Sequence, residues 1–126
     1  MIAVAIIAVL AGVAYPSFMD QVRKGRRSEA IEFASRIQQL QARHRANNPT
    51  YAANLAALGI ASGTSATGLY TLSTATAVAT NTTAYTVTAT AVAGKSQAAD
   101  GNCSTMTLTF SAGSTSYGSN AQCWGR

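Results

Sequence analysis

The sequence has few acidic side chains and few residues of the kinds that carry out catalysis. Its 126 residues include four Asp or Glu and a single histidine, His44, which lies between two arginines. It contains no glycine-rich phosphate-binding motif and no cluster of metal-ligand residues at the usual spacing. Paired-carboxylate catalysis, metal centres and nucleotide cofactors are therefore disfavoured, and we expect a protein that is not an enzyme and holds no cofactor.

Cysteine is also scarce, with only Cys103 and Cys123 in the chain. Their spacing does not match a redox Cys-x-x-Cys motif, and no second pair exists to complete a zinc site. An even pair late in a small Thr/Ser/Gly-rich region is typical of a protein that folds in an oxidising compartment. We therefore expect a disulfide between Cys103 and Cys123.

Charge is absent from residues 1–19. As a helix this segment spans about 28 Å, close to the roughly 30 Å hydrocarbon core of a bilayer. It predicts a membrane helix, or a helix packed in an equally apolar fibre core. Its large aliphatic residues are Ile2, Val4, Ile6, Ile7, Val9, Leu10 and Val13.

The apolar segment is interrupted by Gly12 and Pro16. Proline lacks a backbone donor, and its ring crowds the carbonyl of the residue four positions earlier, here Gly12. We expect a kink at this place, or loss of helical structure when tertiary contacts pull on it.

Basic residues outnumber acidic ones, nine to four, and most of them fall within residues 20–50. We interpret them first as the surface of a helix. A cluster at residues 23–27 directly follows the apolar segment, and the positive-inside rule would place the following residues in the cytoplasm. The cysteines favour the opposite, oxidising side, and we give them precedence. The two basic residues left in the C-terminal region, Lys95 and Arg126, are candidate surface contacts.

A single helix is predicted for residues 1–46, of which residues 20–46 form an amphipathic part. The helix should end before Pro49, which disfavours helical geometry at Asn48. Residues 47–69 are predicted to be a connecting segment with a short helix at 52–58. The residues expected to pack the long helix against a sheet recur at three- and four-residue spacings. They are Phe18, Val22, Phe33, Ile37 and Leu40.

Residues 70–126 change to a period of two, in which apolar residues alternate with threonine. Three such runs begin near Tyr70, Tyr85 and Met106, and each is typical of a half-buried strand. A Ser/Gly-rich loop is expected over residues 111–122. The predicted fold is α+β, with a long N-terminal helix packed on a three- to four-stranded antiparallel sheet.

These segments together resemble the type IV pilins of Gram-negative bacteria. The matching runs are MIAVAIIAVLAGVAYPSF followed by VRKGRRSEA, then NPTYAANLAALG, AYTVTATA, and DGNCSTMTLT with a closing CW. The apolar helix alone would be shared with secretion pseudopilins, whereas the Cys103…Cys123-Trp124 ending favours type IVa-like pilins. Members of the family carry a basic leader, a cleavage site after a glycine and a glutamate near the mature start, which the resemblance implies would precede Met1.

The resemblance implies a structural subunit that waits in the inner membrane and is moved by an assembly machinery into an extracellular filament of many copies. Adhesion, motility and DNA uptake are functions of such filaments. Two alternatives stay open. A minor pilin that binds DNA during uptake is disfavoured because Lys95 and Arg126 are the only basic residues of the sheet region, and a type II secretion pseudopilin is disfavoured by the cysteines.

Overall fold

The computed structural model describes residues 1–77, 79–118 and 120–125. One long helix, α1, is followed by four strands in an antiparallel sheet with the order β1-β2-β3-β4. Helix and sheet together form an α+β fold, as predicted. The elements are α1 (Ile2–Asn47), β1 (Tyr70–Ala75), β2 (Ala84–Ala91), β3 (Thr105–Ser111) and β4 (Ser114–Gly118).

The sheet buries the apolar side of its alternating strands. Because successive side chains of a strand point to opposite faces, threonines occupy the other side. Thr is β-branched and suits an extended backbone on that side. One threonine, Thr74 on β1, is an exception and lies on the buried face. The apolar residues of that face are Tyr70 and Leu72 on β1, Tyr85, Val87 and Ala89 on β2, and Met106 and Leu108 on β3.

Helix α1 contacts this face through Ala30, Ala34, Ile37 and Gln41, all fully buried. The two alanines lack bulk beyond Cβ, so the helix backbone can approach the sheet closely. Gln41 is the unexpected member of the stripe. Its amide nitrogen donates to the Ala52 carbonyl (2.9 Å) and to Thr74 Oγ1 (3.0 Å), and its oxygen accepts from the Ala52 amide (2.9 Å). This buried polar group is therefore satisfied, and it ties helix, connecting segment and sheet together.

The predicted packing role of Phe18 is wrong, because its side chain is 65% exposed. Phe18 lies about 18 Å along the helix before Ala30, beyond the region that the sheet covers. Of the other predicted contacts, Ile37 is fully buried, and Val22, Phe33 and Leu40 are half-buried. Sequence periodicity identified the right face of the helix but could not show where along it the sheet begins.

The N-terminal third of α1 projects away from the sheet. Its large aliphatic side chains are between 55% and 79% exposed, and the segment is long and apolar enough to cross a membrane. The helix is continuous through Gly12 and Pro16 in this single subunit. The expected loss of helical structure concerns the assembled filament and stays a prediction.

Two segments predicted to lie outside the strands differ from expectation. The region predicted as a loop after β3 contains β4, joined to β3 by a two-residue turn in which Ala112 (φ 49°) and Gly113 (φ 84°) are both left-handed. Such a turn matches the twist of antiparallel strands. The short helix expected at residues 52–58 is reduced to one 3-10 turn, Ala56–Leu58, which ends at the left-handed Gly59.

A disulfide joins Cys103 to Cys123, with their Cα atoms 5.6 Å apart, and confirms the predicted pairing. Cys103 lies just before β3, whereas Cys123 lies in a C-terminal 3-10 turn, Ala121–Trp124. That turn packs against α1, and both cysteines and Trp124 belong to the buried core. The disulfide therefore fixes the C-terminal segment to the sheet and the helix.

A buried ion pair joins the helix to the loop between β2 and β3. Arg27 donates to both carboxylate oxygens of Asp100, from Nε (2.6 Å) and from Nη2 (2.5 Å). The side chains are only 15% and 6% exposed. The hydrogen bond to Asp100 raises the pKa of Arg27 above its ordinary value, so the guanidinium stays charged. Gln97 lies beside the pair and donates to the Tyr70 hydroxyl (2.8 Å).

Reduction of the disulfide should lower the thermal stability of the globular region. The two cysteines are 20 residues apart, and closing a loop of that size stabilises the folded state by about 3 kcal/mol in the chain-entropy model. Thermal unfolding of the full chain, followed by circular dichroism with and without reductant, measures the effect. A Cys103→Ser/Cys123→Ser variant is the control, and its melting temperature should not respond to reductant. An equal melting temperature for the oxidised and reduced protein would contradict this account.

Asp100→Asn should cost about 3 kcal/mol of unfolding free energy, because it leaves the Arg27 guanidinium buried without a counter-charge. Denaturant unfolding of the full chain measures the loss. An Arg27→Met/Asp100→Leu variant, which removes both charges, should recover much of the stability. If the double variant is no more stable than the single one, the loss arises from packing and not from the unpaired charge.

Candidate nucleic-acid interface

The charged residues of the chain are unevenly distributed along α1. Three of the four acidic residues, Asp20, Glu29 and Glu32, belong to the first two-thirds of the helix, and the fourth, Asp100, pairs with Arg27. From Glu32 to Arg43 the helix rises about 16 Å without a further acidic residue. One end of the globular region therefore carries both signs of charge, and the other carries only positive charge.

The end nearer the apolar segment, which we call the proximal end, contains a basic belt made of Arg23, Lys24, Arg26, Arg27 and Lys95. Its carboxylates are engaged, since Asp100 pairs with Arg27 and Asp20 lies 3.3 Å from Arg23. Arg26 contacts a neutral partner, the Ser96 hydroxyl, at 2.5 Å, and this contact places the neighbouring Lys95 beside the helix. An open cavity of about 750 Å³ separates the belt from the disulfide.

Glu29 marks the boundary between the two ends. Its carboxylate accepts hydrogen bonds from the Thr67 amide (2.6 Å) and the Thr67 hydroxyl (2.5 Å). Burial alone would raise the pKa of Glu29, but these hydrogen bonds outweigh it and lower the pKa below its ordinary value. Glu29 thus holds the connecting segment against the helix.

The opposite, distal end consists of residues 43–51 and the loop 79–83. Arg45 organises it by donating from Nε to the Thr82 carbonyl (3.2 Å) and from Nη1 to the Asn48 carbonyl (3.0 Å). Its guanidinium carbon lies 5.9 Å from the centre of the Tyr51 ring. A guanidinium has five N–H donors, so most of the donor capacity of Arg45 remains while its position is fixed.

The other distal residues surround Arg45 with further hydrogen-bonding groups. Arg43 is exposed and has no carboxylate partner in the part of the chain that the structure describes. His44 donates from Nδ1 to the Thr50 carbonyl (3.2 Å). The Tyr51 backbone amide donates to the Asn81 backbone carbonyl (2.7 Å), and this bond fixes the loop 79–83 beside the helix end. Exposed hydroxyls of that loop come from Thr80, Thr82 and Thr83.

Lys95, one of the two basic residues singled out from the sequence, does not lie at the distal end. Lys95 is exposed as predicted, but it belongs to the proximal belt. Arg126 lies outside the described residues. Arg43 and Arg45 were interpreted as ordinary helix surface, because the sequence does not show that a loop from between β1 and β2 returns to meet them. The signal available in the sequence was the lack of acidic residues between Glu32 and the end of the predicted helix.

Comparison with known protein families identifies a family for this chain. No curated protein matches the chain. Residues 16–107, more than half of the chain, match a family model described as "Type IV minor pilin ComP, DNA uptake sequence receptor". The match spans the amphipathic part of α1, the connecting segment and most of the sheet. This chain is thus a member of the type IV minor pilin family described as DNA uptake sequence receptors.

Proposed function

We propose that this protein is a non-catalytic minor subunit of a type IV filament that binds duplex DNA through its distal end. The observation that carries the proposal is the pairing of an exposed arginine, Arg43, with a half-buried and pre-positioned one, Arg45, at an end of the molecule where the described residues include no acidic side chain. The description of its family as DNA uptake receptors supports the same function. A minor pilin that binds DNA was a disfavoured alternative in the sequence analysis, and these two observations make it the function that we propose.

Membrane residence and filament assembly would both use the apolar segment. Seven large aliphatic residues between Ile2 and Val13 are exposed in the isolated subunit. Keeping them from water is worth roughly 10–20 kcal/mol as an upper bound. Lipid and a core of packed helices provide that burial about equally well, so a subunit can pass from one to the other without exposing the segment.

In the assembled filament, we expect the backbone to lose helical structure somewhere between Val9 and Ser17. Pro16 cannot donate to Gly12, so this stretch is the weakest part of the helix when neighbouring subunits pull on it. A filament structure at a resolution that shows the backbone tests this. Unbroken helical hydrogen bonding on both sides of Pro16 would refute the expectation.

Phosphate groups are the natural ligands of the distal end. Arginine binds phosphate in a planar, charge-assisted arrangement, and Arg45 is already held by Thr82, Asn48 and Tyr51. Because the Arg45 side chain is already ordered in the free protein, DNA binding loses little further side-chain entropy, which favours binding. Hydroxyls of the loop 79–83 are suitable further donors to the phosphate backbone.

The distal end is also the part of the subunit that large ligands can reach. Arg43 lies about 36 Å along the helix from Met19, the last residue of the apolar segment. When that segment is in lipid or in a fibre core, the proximal belt lies against it, whereas the distal end is farthest away. Access thus favours the distal arginines over the more numerous proximal cations as the DNA contacts.

An Arg43→Gln/Arg45→Gln variant should bind duplex DNA at least about tenfold more weakly than the wild type, given the strength of charge-assisted hydrogen bonds. Fluorescence anisotropy of labelled duplex with the full chain in neutral detergent measures this. If the wild type contacts two phosphates, the logarithm of its association constant should fall with the logarithm of the salt concentration with a slope of about −2. The variant should show a slope much closer to zero.

The matched control is Lys24→Gln/Arg26→Gln, which removes the same net charge from the proximal belt. This control should retain DNA affinity within about twofold. If the control loses affinity and the distal variant does not, DNA binds the proximal belt. If neither the wild type nor the variants retain DNA at low salt, the proposed DNA-binding function is wrong.

A further inference from the structure

The proximal belt is a strongly charged surface that the proposed DNA contact does not use. Its five cations face two carboxylates, Asp20 and Asp100, and these are taken up by Arg23 and Arg27. The remaining three, Lys24, Arg26 and Lys95, are exposed. Within the described ranges, none of the three forms an ion pair with a carboxylate.

The belt lies at a defined depth relative to the apolar segment. Residues 23–27 rise about 6–12 Å beyond Met19 along the continuous helix. The headgroup layer of a bilayer is about 5–8 Å thick on each side of the hydrocarbon core. When the apolar segment spans the hydrocarbon, Arg23 and Lys24 fall within the headgroup layer, and the Arg26 backbone lies about 3–5 Å outside it, a distance that its long side chain can cover. Long basic side chains extend readily toward such a layer.

At this depth the β2–β3 loop covers one side of the helix, where Arg27 pairs with Asp100, and the rest of the helix surface is open to lipid. Lys24 and Arg26 are two residues apart, so their side chains leave the helix in nearly opposite directions. A flat ligand could not contact both, whereas headgroups can approach an inserted helix from every side that the globular region leaves open. Lys95 adds a charge from the loop after β2, and the contact between Ser96 and Arg26 keeps that loop beside the helix.

We propose that the belt binds the phosphate groups of anionic phospholipids in the leaflet that faces the globular region, before the subunit enters a filament. This inference depends on the proposed membrane-resident state but not on DNA binding. It also gives a reason for a basic cluster on the same side as a disulfide, where the positive-inside rule does not expect one. In this proposal the cations of the belt contact lipid phosphates on that side of the membrane, and they are not the only feature that determines the orientation of the helix across it.

The test uses the full chain reconstituted in phosphatidylcholine vesicles with spin-labelled lipids. Phosphatidylglycerol should associate with the protein at least about fivefold more strongly than phosphatidylcholine, the attraction expected from a single cation at an anionic surface. High salt should abolish the preference. In Lys24→Gln/Arg26→Gln the two lipids should associate about equally strongly. In Lys24→Glu/Arg26→Glu phosphatidylcholine should be preferred.

Two variants serve as controls for charge and for position. Lys24→Arg/Arg26→Lys keeps the charges and should keep the preference. Arg43→Gln/Arg45→Gln changes the distal end and should leave the preference unchanged. Loss of preference in the distal variant, or its survival in Lys24→Gln/Arg26→Gln, would overturn the inference.

Competition identifies the source of the phosphate. Inorganic phosphate at millimolar concentration should not displace the labelled phosphatidylglycerol, and neither should short duplex DNA. Displacement by either would make the belt a soluble-phosphate or nucleic-acid site and overturn the lipid assignment. If no lipid of any kind shows restricted motion, the membrane-resident state itself is wrong. Restricted motion without any preference refutes only the role of the belt.

Discussion

The need to keep apolar surface from water governs both parts of the long helix, but each part meets it differently. The C-terminal part buries a narrow stripe, Ala30, Ala34, Ile37 and Gln41, against the four-stranded sheet. The N-terminal part keeps its aliphatic side chains exposed in the isolated subunit, so it requires lipid or other helices. A single continuous helix thus connects a folded region to a region that is complete only in an apolar surrounding.

The boundary between these two environments contains an ion pair and, close to it, the disulfide. Arg27 and Asp100 form a buried ion pair there, and the disulfide between Cys103 and Cys123 lies close by. A buried pair of this kind adds little net stability but imposes one arrangement on the elements it joins. Helix, β2–β3 loop and C-terminal turn are thereby held in fixed positions at the place where an assembling filament would load them.

The same arrangement separates two groups of positively charged residues. At the proximal end, carboxylates offset part of the basic belt, and the belt lies beside the apolar segment. At the distal end, no carboxylate of residues 1–77, 79–118 or 120–125 pairs with Arg43 or Arg45. The contacts of Arg45 with Thr82 and Asn48 hold its guanidinium in place. Electrostatic attraction of phosphate depends on local and not on total charge, so two arginines at one end can matter more than five cations at the other.

Local sequence pattern determined the long helix, three strands, the disulfide and the apolar segment, because each depends on side-chain periodicity or on composition within a short stretch. Tertiary structure decided the rest. It placed Phe18 outside the sheet and a polar Gln41 in the packing stripe, since the sheet's position along the helix and the partners of a buried amide are set by distant residues. It also showed that the Ser/Thr/Gly-rich residues directly after β3 form β4, although they lack an apolar alternation. It brought the loop 79–83 to Arg45, which is a contact between segments far apart in the chain that no local pattern encodes.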